Sequence, residues 1–542
     1  MMKIKFNKKG ILICLLAAVV ALSGCTKGKD KKSESEKGAD ALPAVGGTIN
    51  LSTYPPDTLN PLATQYSSVR DFLDLIYEGL FVVNEDFTAS GVLAKDYTSE
   101  SNTVFHISLK NGIKFHDGSD LTSADVISTF TYIQTHDTVY SANLADVAAY
   151  NADGNYSVVI RLKAPNKNFV NNLDFPILPS GLTSGAFAVP NTTFVPIGTG
   201  RYCYSHTVAY NSVELKSFDS WHGGGVYVPN VSVRFVDDNQ SMLYAFESGE
   251  TDMITTDRAR WGEYPYSGKF ETFEVTGTRY VYLGVNTSSG ALADTELRKT
   301  ISSLINRSDM TDNVFFSHAK AAASPIPRTA FFSDKSAKIK NVKLKKTDEK
   351  YNELRDKKYS FYLLYDKESK LKQQIADYIK ESLEYYGIKI IFSAVDYETY
   401  LARVNDNNYQ MYIGEVRLGN DLNLDFLVNA QPVQDTPDTA QGGDTANESE
   451  IQTEEEAQQP KQMTDSDKLA VIVSNLNNAS TEKDLSIACT NLDAFFADTA
   501  YHIPLVHMND AMFVNKRLHG SIKKNLSGFY SDIGEVYINK KQ

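Results

Sequence analysis

The 542-residue chain is short of cysteine, with four, and of tryptophan, with two. So few cysteines, at scattered positions, exclude a disulfide-stapled scaffold. The nine histidines are scattered too. No His-Glu-x-x-His, no His/Cys cluster at ligand spacing and no Gly-x-Ser-x-Gly occurs, so no metal site or hydrolase signature is present and no enzyme or cofactor is expected. Positive charge is also lacking: 54 Lys and Arg against 67 Asp and Glu leave a net charge of -13. That excludes the basic face that nucleic-acid phosphates require. The apolar run at the start, Ile11 to Leu22, has twelve residues, fewer than the roughly 20 a spanning helix needs. What the chain does have is 42% hydrophobic residues and 31 tyrosines. At this length that means a large core divided over two or three domains.

The start of the chain sets the expected compartment. Lys3, Lys5, Lys8 and Lys9 precede the apolar run, which ends in Leu22-Ser23-Gly24-Cys25. A basic flank and a short apolar core are those of a secretory signal. Small residues before a cysteine resemble the bacterial lipoprotein processing site, which implies cleavage after residue 24 and lipidation of Cys25. Residues 25–45 are rich in Lys, Ser, Glu, Asp and Gly and read as a flexible linker. With Cys14 in the signal, only Cys203 and Cys489 remain in the mature body. They are expected to be free, buried thiols, although their spacing leaves a pairing open.

Alternation over residues 46–52 predicts a first strand, and Pro55, Pro56 and Pro61 mark a loop after it. A helix is expected over 70–80, and strands over 104–110 and 113–116 joined by the Asn111-Gly112 turn. In KFHDGSDLTSADV (114–126) His116 ends a strand and Asp117 shapes a turn. Thr122 with Asp125 caps a helix from Ser123 to Thr135. This polar stretch is therefore scaffolding. Further strands are expected at 157–163, 213–216, 231–236, 279–285, 359–365 and 388–393, and helices at 242–248, 295–305 and 370–386. Strand, helix 370–386 and strand form a parallel crossover unit. Residues 431–460 hold eight acids and no Lys or Arg. They begin a disordered acidic insert of about 431–465. One helical stretch over 466–497 follows, then strands at 502–506 and 534–538.

Several of these segments, in this order, resemble the family 5 extracellular solute-binding proteins, the dipeptide- and oligopeptide-binding lipoproteins of ABC importers. They are PDTLNP (56–61), IYEGL (76–80), KFHDGSDLTSADV, GTGRY (198–202), SFDSWHGG (217–224), SGETDM (248–253), YLGVNT (282–287), LRKTISSLINRSDM (297–310), YGIKI (386–390) and HIPLV (502–506). GTGRY carries Arg201 where the family usually has proline.

The resemblance implies an α/β, two-lobed, periplasmic-binding-protein-like (type II) clamp with mixed sheets and a small extra subdomain. Lobe I would comprise 46–287, with the subdomain at about 76–195, and 500–542; lobe II would comprise 288–499. Ligand would bind between the lobes and favour the closed form, which a membrane permease then engages. A lipid-anchored, extracytoplasmic monomer delivering an oligopeptide-like solute is expected. A metal chelate, an oligosaccharide or a sensing role without transport are alternatives within the same fold.

Peptide-binding members of the family usually carry a tryptophan and an aspartate where this chain reads YIGEVRLGNDLNLDF (412–426), and the tryptophan is absent. Asp421 or Glu415 would then meet a peptide amine, and Arg417 a carboxylate. Alternatively Glu415 and Arg417, two apart on one strand face, pair with each other or face solvent. Tyr54 and Tyr66 flank the PDTLNP loop and could stack on a ligand. Thr255, Thr256 and Arg258 follow SGETDM, and Asn286 sits at the expected hinge; these are the remaining candidate ligand-binding residues.

Overall fold

A computed structural model describes residues 45–183, 194–256, 268, 270–428, 463–522, 525–528, 530 and 533–539. The signal segment, Cys25, Arg258 and most of the acidic insert lie outside the described residues.

One mixed sheet of eleven strands organises the body. In chain order these are β1 (Thr48–Thr53), β2 (Tyr202–Val208), β3 (Ser212–Ser217), β4 (Asn230–Phe235), β5 (Met253–Thr256), β6 (Phe270–Val285), β7 (Ala319–Ala321), β8 (Ser360–Asp366), β9 (Lys389–Val395), β10 (Met411–Arg417) and β11 (His502–Asn515). Their spatial order is β9-β8-β10-β6-β11-β5-β1-β4-β3-β2, with β7 added on β11. β8 and β9 are parallel and joined by the helix Lys370–Glu384, as the crossover pattern requires. That helix buries Leu371, Ile375, Ile379 and Leu383 along one stripe.

The sheet passes through two cores. Ile49, Leu51, Val213, Val231, Met253, Met512 and Val514 belong to the first. Val281, Leu283, Val285, Leu363, Ile379, Ile413, Ile503, Leu505 and Met508 belong to the second. β6 and β11 supply residues on both sides, so these two long strands carry the chain between lobes. Where they cross, their register slips: Thr276 faces Asn509, but Tyr280 faces His507. Gly277 sits in this irregular stretch, where a Cβ would collide with the Asp510 carboxylate. The first half of β11, as far as Met508, packs in the second core, and Met512 and Val514 pack in the first.

A four-stranded antiparallel sheet, Ala94–Glu100, Val104–Leu109, Ser157–Leu162 and Val147–Ala152, packs into the first core. Both edges of Val104–Leu109 are occupied there, so residues 113–116 do not return as its hairpin partner. They form a small loop bridged by Lys114 and Asp120 around Asp117-Gly118 instead. The helix Ser123–Thr135 begins where its capping pair predicts: Thr122 donates its backbone N–H to the Asp125 carboxylate at 2.8 Å.

Two helices differ from expectation. The first is only Ser67–Leu73. Leu75 and Ile76 have helical spacing, but their carbonyls accept from Tyr202 and Gly200, at 3.0 and 2.9 Å. A Cβ on Gly198 or Gly200 would collide with these carbonyls, which accounts for both glycines of GTGRY. Arg201 lies over the Trp221 ring at 4.4 Å, beside a hollow of about 770 Å³. The stretch expected as one helix over 466–497 is two, Asp465–Asn477 and Glu482–Thr499. Thr481 and Asp484 restart it with their own capping box. At the C-terminus the strand shrinks to Tyr537–Ile538, after a single 3-10 turn. Cys203 and Cys489 are both free; Cys489 is buried and Cys203 half-buried.

Candidate functional site

The candidate site lies along the seam where β5, β6 and β11 leave the first core and β10 ends in the second lobe. Short polar contacts of the first lobe hold its side of the seam. Asp57 closes the PDTLNP loop on itself, accepting from the Thr58 and Gln65 N–H groups at 2.9 Å each and from the Thr64 hydroxyl at 2.5 Å. The buried aspartate of SGETDM, Asp252, accepts both forks of Arg517 and the Asn50 N–H. This fixes β5 beside β1.

Tyr54 and Tyr66 come together, ring edge to face at 6.4 Å, with Tyr66 38% exposed. Thr255, near the end of β5, donates its hydroxyl to Asp71. Thr256 follows on the same strand opposite Ala511. Asn286 directly follows β6, six residues beyond Tyr280 where the slipped pairing resumes. Its side-chain amide donates to the Asn407 and Tyr409 carbonyls, so it ties a second-lobe loop to the strand end.

Glu415 is engaged by a residue that sequence reading did not connect to it. Arg279 on the neighbouring strand donates to Glu415 Oε1 through Nε at 2.8 Å and Nη2 at 2.5 Å, and the pair is 9% and 13% exposed. In the ladder Arg279 stands opposite Arg417, and Glu415 stands two residues inward, opposite Val281. Asp421 is buried. Its Oδ2 accepts from Asn166 and Asn172 at 2.7 and 2.9 Å, and Oδ1 from the Asn423 N–H at 3.2 Å. Burial raises its pKa against the pull of these donors.

The residues that sequence reading missed are carboxylates. Asp71, Asp74 and Asp174 are half-buried. Burial pushes Asp74 well above the usual carboxylate range, with Asp71 and Asp174 adding and Arg70 opposing. Burial likewise pushes Asp174 up to about 6, although Ser527 and Asn420 donate to it. Asn420 reaches Asp174 from the second lobe, at 2.8 Å. The spacing Arg70-Asp71-Phe-Leu-Asp74 places two acids three apart on a helical face, a signal available in the sequence. Among the described residues no group of three or more His, Cys, Asp or Glu is arranged to hold a metal ion, and no helix is long and apolar enough to cross a membrane.

The second-lobe side of the seam offers backbone. β10 meets β8 only at Met411 and Tyr412, and β6 along its other edge from Met411 to Arg417. From Ile413 onward the β8-side edge has no ladder partner among the described residues.

Comparison with known proteins bears on this arrangement. Over 434 residues the chain is 23% identical to the oligopeptide-binding protein AppA of Bacillus subtilis, covering 74% of this chain and 78% of AppA. The structure of AppA in complex with a nonapeptide superposes with a TM-score of 0.61 at 17% identity, covering 92% of this chain and all of AppA. HbpA2 from Haemophilus parasuis gives 0.73 at 16% identity, covering 91% and 100%. NikA from Brucella suis, in complex with Fe(III)-EDTA, gives 0.67 at 18%, covering 90% and 99%. These structures share the two-lobed periplasmic-binding-protein-like α/β fold. Residues 88–431, more than half the chain, match the model for bacterial extracellular solute-binding proteins, family 5 Middle. With its family and fold those of solute binding rather than catalysis, the chain belongs to the family 5 bacterial extracellular solute-binding proteins.

Proposed function

We propose that this protein captures an oligopeptide-like solute between its lobes outside the cytoplasmic membrane and delivers it to an ABC importer. The observation that carries the reading is the pair β6 and β11, which string two separate cores on two strands and slip in register where they cross. Such a crossing lets two rigid bodies rotate while each keeps its packing. The edge of β10 beyond Ile413, whose carbonyl is already taken by the Tyr400 hydroxyl, suits an extended ligand, which would add backbone hydrogen bonds there. The carboxylates Asp71 and Asp174 favour a ligand bearing an amine. Lipidation at Cys25 would hold the body at the membrane as a monomer, with lobe boundaries near those expected from the sequence but shifted along β11.

A second reading, a non-peptide solute, is favoured by one observation. Both expected amine partners are already engaged, Glu415 by Arg279 and Asp421 by two asparagines. Thermal unfolding of ligand-stripped protein beginning at Gly46, with and without a mixed short-peptide pool, separates the two. A peptide at a hundred times its Kd stabilises by about 2.7 kcal/mol, a midpoint rise of a few degrees. No rise with peptides, but a rise with a metal chelate or an oligosaccharide, replaces the peptide reading by the second. Loss of uptake on deletion supports delivery; unchanged uptake supports sensing.

A further inference from the structure

The first-lobe side chains that reach Asn420 and Asp421 come from one short stretch. Asn166, Asn168, Asn171, Asn172 and Asp174 follow the strand Ser157–Leu162, and their neighbours Phe169, Val170 and Leu173 pack in the first core. Across the seam, Leu418, Leu422 and Leu424 belong to a satellite core of the second lobe built on the helices Asp465–Asn477 and Glu482–Thr499. Five side-chain amide bonds cross between these segments. Asn166 and Asn172 donate to Asp421 Oδ2, and Asn168 to the Asp421 carbonyl at 3.3 Å. Asn171 donates to the Asn420 carbonyl at 2.9 Å, and Asn420 in turn donates to Asp174 at 2.8 Å.

An apolar knob accompanies them. Phe87 sits at the tip of the hairpin Phe81–Val83/Ala89–Gly91, buried to 1% exposure inside that same satellite core beside Ile326, Phe332 and Leu422. Its φ of +64° is a conformation that a residue with a Cβ adopts only when its surroundings hold it there. Asn171 donates to the Phe87 carbonyl at 2.9 Å, and the Asp86 carbonyl accepts from Phe331 at 2.8 Å. Knob and amides thus act at one place.

We propose that Phe87 and the asparagines of residues 166–172 form a clasp that fastens the first lobe to the second on Asp421, holding a closed population before any solute binds. The proposal rests on the solute-capture reading, since it concerns the opening and closing that the reading requires. The chemistry suits a reversible fastening. The donors are neutral amides, which water accepts at little cost when the lobes part; when they close, the Asp421 carboxylate is met by two amides from the other lobe and Asp174 by one. A clasp also sets apparent affinity. A protein that is already closed part of the time binds more tightly than one that must close against an open equilibrium.

The test needs no knowledge of the solute. Spin labels at Tyr210→Cys and Tyr385→Cys, in a Cys203→Ser background, report the distance between exposed sites in the two lobes; Tyr210 is fully exposed and Tyr385 53% exposed. Ligand-stripped protein is compared with Phe87→Ala and Asp421→Asn variants. Asp421→Asn keeps the shape but turns a donor toward either Asn423 or the two amides. Where Phe87→Ala does not fold, Asn172→Ala serves in its place. The closed-to-open ratio is expected to fall at least tenfold in each folded variant, with thermal unfolding still cooperative. A distance distribution unchanged from the parent protein in Asp421→Asn and in the folded Phe87 or Asn172 variant overturns the clasp. Failure of every peptide, chelate and sugar to bind would sink the capture reading instead, and the spin-label distances would still decide the clasp.

Discussion

Both lobes bury carboxylates with raised pKa, Asp74 and Asp174 in the first and Asp421 in the second, but the two most depressed histidines lie in the second. On the first lobe's side of the seam are carboxylates: burial pushes Asp74 well up and Asp174 up to about 6. The second lobe also buries bases. His502 and His507 on β11 are depressed by burial to about 3 and about 4. Arg298 and Arg307, 2% and 3% exposed, spend their guanidinium donors on the carbonyls of Thr499, Leu292, Pro504 and Ser302. The consequence is a difference in response to acid. A carboxyl with a raised folded pKa binds its proton more tightly in the folded state, so its contribution is complete below about pH 4 and is lost as pH rises through about 6. A histidine with a depressed folded pKa behaves the other way: its contribution is complete above about 6.5 and is lost as pH falls toward 4.

The largest effect expected is therefore acid weakening that originates in the second lobe. Each buried histidine costs about 1.4 kcal/mol per pH unit below about 6.5. His507 has a specific reason to resist charging. Its Nε2 donates to the Ser324 carbonyl at 3.1 Å, while its buried Nδ1 has no hydrogen-bond partner among the described residues. A second proton would leave an N–H there without an acceptor. Between pH 7 and pH 5 the two histidines together remove about 4 kcal/mol; Asp174 returns about 1 kcal/mol, and Asp74, also raised by burial, offsets part of the remainder. Urea unfolding at both pH values checks the sum. A protein as stable at pH 5 as at pH 7 would show that the histidines do not dominate, whereas His502→Gln with His507→Gln should flatten the dependence.

Next in size is the pair Arg279–Glu415. Glu415→Ala leaves a nearly buried guanidinium without this partner and is expected to cost about 3 kcal/mol. The same loss should appear at pH 7 and pH 5 if the pair is structural. A stable variant with altered ligand preference would instead make Glu415 a recognition residue.

What was legible in the sequence was local or periodic. Thr122 and Asp125 lie three residues apart and interact within one turn, so their spacing announces the helix. The strand–helix–strand unit at 360–395 reads from periodicity alone. What escaped depended on residues far away in the chain. Asn166 and Asn172 look like loop residues until Asp421, some 250 positions on, is placed against them. Leu75 and Ile76 follow helical spacing, but a distant glycine loop claims their carbonyls. Glu415 and Arg417 share a strand face, yet only the register with β6 gives Arg279 to Glu415. The place of the register slip was hidden for the same reason: where two long strands slip depends on the pairing of both, and β6 alone does not reveal it.

A smaller change sharpens the comparison from the first lobe. Asp174→Asn removes a carboxyl that folding holds above its ordinary range, yet an asparagine oxygen can still accept from Asn420. At pH 8 it should stabilise by about 1 kcal/mol, with no gain at pH 4, where the native carboxyl already holds its proton. A loss at pH 8 would mean that the ionised carboxylate is required by its donors and that the first lobe is not strained by its acids.

The smallest expected effect serves as the control. Thr122→Ala removes a hydroxyl that lies 2.9 Å from the Asp125 carboxylate, but leaves the backbone bond from residue 122 and the Ser180 N–H, which donates to the same carboxylate at 2.8 Å. The helix Ser123–Thr135 should therefore keep its start and lose about 1 kcal/mol. The cap lies in the first lobe away from the seam acids and the β11 histidines. Its loss in urea unfolding should be equal at pH 7 and pH 5. An unequal loss would place a titrating group in contact with the cap and would show that the pH response is not divided between the lobes in the way their buried groups imply.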